Sequence, residues 1–275
     1  MINGIPLKVG GCNSILSRFD HRQKVGEQCD ANADIALQAL NEAEKVFPEW
    51  LHTPVEDRAI IIDKLGDLLE KNRFELYALC QREAGKTIQD CIDEVREAVD
   101  FCRYYAQQAR EKLSHSLSLK GPTGESNELS HEAKGIFVCI SPLNFPLAIF
   151  RGQIVAALVS GNTVIVKPAE STTLIAYRMI ELLFSAGLPR QVLQFVPGPG
   201  AELGAVLNSD PRVAGVVFTG SNATARSINL TLAQRDVNAG IATLIAETGG
   251  LNAMIVDSTS LPEQVAKDVV LSAFG

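Results

Sequence analysis

The 275-residue sequence has no apolar stretch near the roughly 18 residues that a bilayer span requires. Ile154-Val155-Ala156-Ala157-Leu158-Val159 is the kind of run it offers instead. The Met1 end lacks the basic-then-apolar pattern of a secretory signal, so a cytoplasmic protein is the expectation. No Lys/Arg-rich run occurs, and 25 basic side chains stand against 32 acidic ones, a net charge of −7. That balance argues against nucleic acid, whose phosphates need a basic face to displace their counterions. The six cysteines, Cys12, Cys29, Cys80, Cys91, Cys102 and Cys139, form no Cys-x-x-Cys pair and have no ligand-spaced histidines. No metal site is expected, and all six read as reduced core thiols. Cys80, Cys91 and Cys102 recur every eleven residues, but Gly85 is expected to break any helix that would stack the first two. Two oxidoreductase signatures are also missing: G-x-G-x-x-G and Tyr-x-x-x-Lys.

What is present is an ordinary globular mixture, 46% apolar and 21% charged. A chain of this length buries roughly 70–75% of its unfolded surface, enough for a core without staples. Charge divides it: residues 1–134 carry 17 basic and 23 acidic side chains, residues 135–275 only 8 and 9. Interleaved charge and apolar residues at i, i+3, i+4 predict surface helices over 33–47, 73–83 and 87–112. Thr53-Pro54 predicts another helix, with Thr53 as cap and a stripe of Ile61, Ile62, Leu65, Leu68 and Leu69. Residues 1–112 thus form a helical lead-in. Residues 113–134, with Gly121-Pro122-Thr123-Gly124, read as an extended arm of turns and short strands.

From Gly135 onward apolar, β-rich runs alternate with helical stretches. Strands are expected at 136–140, 164–166, 192–196, 213–218, 244–246 and 253–256, and helices near 147–160, 172–186, 201–208, 222–233 and 261–274. Near-continuous apolar strands call for a parallel sheet covered on both faces, so the fold class is α/β, an open doubly wound sheet over 135–275. Such a sheet binds ligands beyond the carboxyl ends of its strands. Five segments sit there. Ser141-Pro142-Leu143-Asn144-Phe145-Pro146 holds an amide in a stiffened turn, suited to an oxyanion or simply satisfying a loop. Lys167-Pro168-Ala169-Glu170 could hydrogen-bond a ribose, or be a surface ion pair before a helix capped by Ser171-Thr172. Pro197-Gly198-Pro199-Gly200 lets backbone approach closely at a helix start. Phe218-Thr219-Gly220-Ser221 opens a helix whose free N–H groups suit a phosphate, although Ser221 would serve equally as a cap. Glu247-Thr248-Gly249-Gly250 places a carboxylate in a charge-poor region, where desolvation would raise its pKa and suit it to general-base work; an ion pair with an Arg or Lys is the alternative. Their joint placement after successive strands points to a nucleotide site.

In this order and spacing the segments beginning at Ser141, Lys167, Phe218 and Glu247 resemble the NAD-dependent aldehyde dehydrogenase superfamily, as do Trp50, Arg58, Glu83-Ala84-Gly85-Lys86-Thr87 and Asp100-Phe101-Cys102-Arg103-Tyr104-Tyr105-Ala106. Within it, Gly121-Pro122-Thr123-Gly124-Glu125-Ser126-Asn127 and Val138-Cys139-Ile140-Ser141 look most like the L-glutamate gamma-semialdehyde (delta-1-pyrroline-5-carboxylate) dehydrogenase module of the bifunctional proline utilisation flavoenzymes. The resemblance runs from about Val25 to Gly275. It implies a Rossmann-like sheet and NAD as cofactor, with Lys167 and Glu170 on the adenosine ribose and Ser221 at the pyrophosphate. Further NAD contacts fall to Ile140, Ser141, Leu143, Pro168, Gly198, Gly200, Phe218, Thr219, Gly220, Glu247, Thr248 and Gly249. Asn144 would help form the oxyanion hole and Glu247 would activate the deacylating water. Leu143 stands where the family usually has Trp, and Asn222-Ala223-Thr224 replaces the usual Thr-Glu-Val.

The family's nucleophilic cysteine follows the helix that here ends in Leu271-Ser272-Ala273-Phe274-Gly275. The last cysteine present, Cys139, lies inside a strand and cannot replace it. The expectation is therefore the NAD-binding portion of such an enzyme, partnered in the parent by a linked catalytic domain and a proline-oxidising flavin domain. Without the facing domain, apolar surface would favour self-association. Two alternatives are a non-catalytic nucleotide-binding protein of the same fold and an aldehyde dehydrogenase of other specificity.

Overall fold

The computed structural model describes residues 1–7, 11–237 and 239–274. Gly275, at which the expected resemblance ends, lies outside the described residues. An antiparallel hairpin comes first, β1 (Cys12–Leu16) with β2 (Lys24–Cys29). Its register sets Cys12 opposite Cys29 with Cα atoms 4.1 Å apart, and the two form a disulfide. This corrects the expectation of six reduced core thiols: cross-strand register, which the 17-residue separation conceals, brings these two together. The other four, Cys80, Cys91, Cys102 and Cys139, are free and buried.

The lead-in helices follow. α1 (Ala33–Leu51) is capped by Asn32, whose side chain accepts the Ile35 N–H at 3.0 Å, and buries Ala36, Ala39, Leu40 and Ala43. α2 (Val55–Lys71) starts without the cap expected from Thr53: that hydroxyl instead donates back to the Glu49 carbonyl at 3.3 Å, closing the last turn of α1. The corner belongs to Arg58. Its buried guanidinium donates to Val159 O at 3.0 Å and to the carbonyls of Trp50, Leu51 and Thr53, acceptors at and just beyond the end of α1. Of the α2 stripe, Ile62, Leu65 and Leu69 are buried, with Ile61 and Leu68 packed beside them. α3 (Arg73–Leu79) widens into a π-type turn over Cys80–Ala84, and Gly85 at φ +74° ends it, as the sequence requires of a break between Cys80 and Cys91. Thr87 and Asp90 then form a reciprocal capping box that opens α4 (Ile88–Leu113). The arm is a second hairpin, β3 (Leu117–Lys120) with β4 (Ser126–Leu129).

The rest is one parallel sheet. In chain order come β5 (Ile136–Ile140), α5 (Ala148–Val159), β6 (Thr163–Lys167), α6 (Thr173–Ser185), β7 (Leu193–Phe195), α7 (Gly200–Ser209), β8 (Val213–Gly220), α8 (Asn222–Ala233), β9 (Thr243–Thr248) and α9 (Pro262–Phe274). The strand order is β7-β6-β5-β8-β9 with every pairing parallel, so the α/β expectation holds. Alternate residues feed two cores. Phe137, Cys139, Val164 and Val166 pack with α2, α4, α5 and α6; Ile136, Val138, Ile165, Val216 and Phe218 pack with α1, α7 and α8. The chain reverses direction across the sheet between β5 and β8, the position at which open α/β sheets bind ligands. The strand expected at 253–256 is absent: this stretch has no ladder partner and leaves Ile255 91% exposed. Among the described residues no helix is long and apolar enough to cross a membrane.

Candidate cofactor cleft

Beyond the carboxyl ends of β5 and β6, between the starts of α7 and α8, runs a groove of about 740 Å³ lined by Ile140, Lys167, Glu170, Gly200, Gly204, Ala223, Thr224 and Ser227. Its floor is polar. Lys167, the last residue of β6, is only 6% exposed, and its Nζ donates to the adjacent Pro168 carbonyl at 3.1 Å. Burial lowers the Lys167 pKa, against the opposing pull of Glu170 and Asp30. Glu170 stands exposed on the rim, its Oε1 accepting the Gly200 N–H at 2.9 Å. The Lys167-to-Glu170 turn therefore aims a desolvated cation and a carboxylate into one groove. Ser141 extends the β5–β6 pairing by donating its N–H to Lys167 O at 3.3 Å and is buried, as is Pro168.

Glycine is required at one corner. Gly198 has φ +150°, and a Cβ there would lie 3.0 Å from the Ala31 carbonyl oxygen, which together demand a residue without a side chain. Gly200, at the first turn of α7, lies against Lys167 and Glu170. Across the groove, Ser221 caps α8: its Oγ accepts the Thr224 N–H at 3.1 Å. Both sequence readings of Ser221 meet here, because a capped helix still points the N–H groups of its first turn outward. Phe218 is buried under α7 and α8, and Gly220 leaves room for its ring.

Not every candidate reaches this groove. Thr219 faces the opposite side of the sheet, accepting from Gln153 Nε2 at 3.0 Å. Glu247 and Thr219 line a second groove of about 420 Å³ with Phe101, Tyr105 and Gln153 on the α4/α5 face. Glu247 is exposed on β9, so the burial invoked for it from the sequence is not there: β9 is the outer strand, and among the described residues none covers that end. Leu143 and Asn144 are exposed in the loop before α5; Thr248 is half-buried, and Gly249, exposed, offers its carbonyl to Asn222 Nδ2 at 3.4 Å.

Two carboxylates that the sequence reading gave no role hold the loops in place. Glu94 on α4 accepts the N–H groups of Leu147 and Ala148 at 3.2 and 2.8 Å, and pairs with Lys86 at 2.9 Å; that ammonium sits 4.6 Å above the Phe145 ring. Glu83 accepts the N–H groups of Leu174 and Ile175 at 2.7 and 2.8 Å. For α5 the missed signal is an absence, since Leu147 at its start cannot cap; for α6 the expected Ser171-Thr172 cap is not made, because Thr172 forms no cap bond and Glu83 takes its place.

The sequence model of the Aldehyde dehydrogenase family matches residues 14–275. The chain belongs to the aldehyde dehydrogenase family. It is 44% identical over 270 residues to the bifunctional protein PutA of Salmonella typhimurium, covering 98% of this chain and 20% of that protein. It is 39% identical over 256 residues to a 1-pyrroline-5-carboxylate dehydrogenase of Anoxybacillus flavithermus, covering 91% of this chain and 49% of that enzyme. Among solved structures of the family, 1-pyrroline-5-carboxylate dehydrogenase from Thermus with bound NAD superposes with a TM-score of 0.94 at 34% identity, over 100% of this chain and 53% of that one. PutA from Bdellovibrio bacteriovorus gives 0.95 at 35% identity, over 100% and 29%. The chain thus spans about a fifth to a half of the length of the aldehyde dehydrogenases it matches.

Proposed function

We propose that this chain is the NAD-binding portion of a dehydrogenase that oxidises L-glutamate gamma-semialdehyde to L-glutamate in proline catabolism, the attacking cysteine coming from outside its 275 residues. The observation that carries the reading is Lys167 buried at the end of β6, with Glu170 beside it on one groove wall and the start of α8 opposite. A buried ammonium whose recorded hydrogen bond is to its neighbour's carbonyl retains donors for a ligand, and ribose hydroxyls match a donor and an acceptor side by side. The dipole and N–H groups at the start of α8 suit a pyrophosphate. A carboxylate at Glu170 would repel a 2'-phosphate, which favours NAD over NADP.

Bound there, NAD would accept the hydride released by the aldehyde. This chain's contributions are positional and electrostatic. The Asn144 amide is held in a proline-bounded turn anchored by Glu94 and can donate to an oxyanion, while Glu247 can take a proton from water. A thiol added to the aldehyde, then freed as water attacks the acyl group, completes the balance from outside the chain. No cysteine here can do it. Cys12 and Cys29 are joined, and the other four are buried; burial also pushes the Cys139 thiol far up. The same observation favours a second reading, a binder that does no chemistry by itself.

Purified chain mixed with aldehyde and NAD should therefore produce no NADH at 340 nm while binding NAD in a calorimeter. Lys167→Ala should weaken that binding by about tenfold or more, the scale of a hydrogen bond to a charged group. Steady NADH production would sink the assignment of the nucleophile. Unchanged affinity in Lys167→Ala would sink the assignment of the groove.

A further inference from the structure

The crossover helices α5 and α6 begin without local caps, and in each case a carboxylate from the lead-in supplies the acceptors instead. For α6 the arrangement reaches into the groove. Thr172 occupies the cap position of α6, yet its hydroxyl makes no cap bond; both oxygens of Glu83 take the N–H groups of Leu174 and Ile175. Glu83 is 0% exposed. A local Ser or Thr cap satisfies one donor at little desolvation penalty, whereas burying a carboxylate is expensive unless it is well bonded. What the distant carboxylate adds is position. A bidentate acceptor rooted in the rigid π-type turn fixes where α6 starts relative to the lead-in, and so fixes the turn that precedes it.

That turn carries Glu170. Its carbonyl oxygen lies 3.3 Å from the Thr173 hydroxyl, whose one proton it shares with Gln28 Oε1, and its carboxylate accepts the Gly200 N–H at 2.9 Å. Glu170 is thereby strung between the start of α6, set by Glu83, and the start of α7. We propose that Glu83 is a positioning residue for ribose recognition: by anchoring the start of α6 it holds the Glu170 carboxylate at the reach a ribose hydroxyl needs. This rests on reading the groove as the adenosine site.

The test uses ADP and 2'-deoxy-ADP as probes, measured by calorimetry on the whole chain at pH 8, above the value of about 7 to which burial raises Glu83, so that both of its oxygens accept. A charge-assisted hydrogen bond from the 2'-hydroxyl to Glu170 should make the wild type prefer ADP by about tenfold. Glu83→Gln keeps the side-chain size but has one acceptor oxygen where two are needed, and should reduce the preference to about twofold or less by the same reckoning. Glu170→Gln should do the same, and the double variant should lose nothing further, as coupled residues do. A merely structural Glu83 would lower thermal stability and weaken both nucleotides together, leaving the ratio intact. A retained ratio in Glu83→Gln with a lost ratio in Glu170→Gln overturns the inference and leaves the groove reading standing. A wild-type ratio near one, unmoved by Glu170→Gln, overturns both. Should Glu83→Gln not fold, amide exchange in the wild type decides: ADP should slow exchange at Leu174 and Ile175 more than 2'-deoxy-ADP does, and equal protection overturns the proposal.

Discussion

Ser221 shows how one side chain can satisfy two sequence readings and still be separable by experiment. Its hydroxyl holds the Thr224 N–H at 3.1 Å and lies 2.9 Å from the Thr224 hydroxyl, so the cap is built whether or not a ligand is present. Ser221→Ala should lower the stability of the chain by about 1 kcal/mol, the usual worth of an N-cap, read from urea unfolding. NAD affinity should fall less than in Lys167→Ala, because the backbone N–H groups at the start of α8 survive the substitution. An affinity loss equal to that of Lys167→Ala would make the hydroxyl itself the phosphate ligand. Lys167 was legible because a cation directly after an apolar strand is conspicuous. Its burial was not, since burial comes from α7 folding over it, and Gly200 against it, more than 30 residues away in sequence.

At the scale of elements, the parallel sheet was readable because strands covered on both faces must be mainly apolar, and β5, the middle of β6 and most of β8 are. Periodicity also placed the helices. It failed where long-range pairing decides. The β1–β2 hairpin is half polar and carried no strand signal, and its disulfide depends on register. Residues 253–256 had the composition of a strand but no neighbour to pair with. Glu83 and Glu94 bond N–H groups, those of Leu174 and Leu147, that lie 91 and 53 residues further along, so no local pattern could assign them. The Glu83 contact has a pH signature. Burial pushes its carboxyl up to about 7 from an ordinary 4.5, outweighing the backbone N–H groups and Arg18, which pull it down. Between those values the unfolded chain ionises Glu83 while the folded chain keeps it protonated, so ionisation favours unfolding and stability falls as pH rises. Below 4.5 the contribution is fully present; above about 7 it is lost and the dependence flattens. A shift of that size corresponds to about 3 kcal/mol. Urea midpoints at pH 5 and pH 8 should differ less in Glu83→Gln than in the wild type, and identical pH dependence in the two would contradict the assignment.

For the whole molecule, the two ends of the sheet differ in what covers them. The β7 edge is closed by Met1, whose carbonyl accepts the Phe195 N–H at 3.0 Å, and by α1 packing alongside. Among the described residues no strand pairs with the outer edge of β9. From Leu251 to Leu271 the chain leaves Leu251, Ile255, Leu261, Val270 and Leu271 each at least 59% exposed, and among the described side chains of α9 none is buried. Apolar surface on that scale, next to a strand with unpaired backbone groups, is unusual for a free monomer and drives association. The purified chain should therefore sediment above its 29.6 kDa monomer mass, increasingly so with concentration. Replacing Val270 and Leu271 by Glu should shift it toward monomer while leaving NAD affinity unchanged, because the groove at Lys167 lies on the far side of β5 and β8 from β9's free edge. A chain that stays monomeric at all concentrations would show that α9 folds back over β9 in solution and covers the face itself.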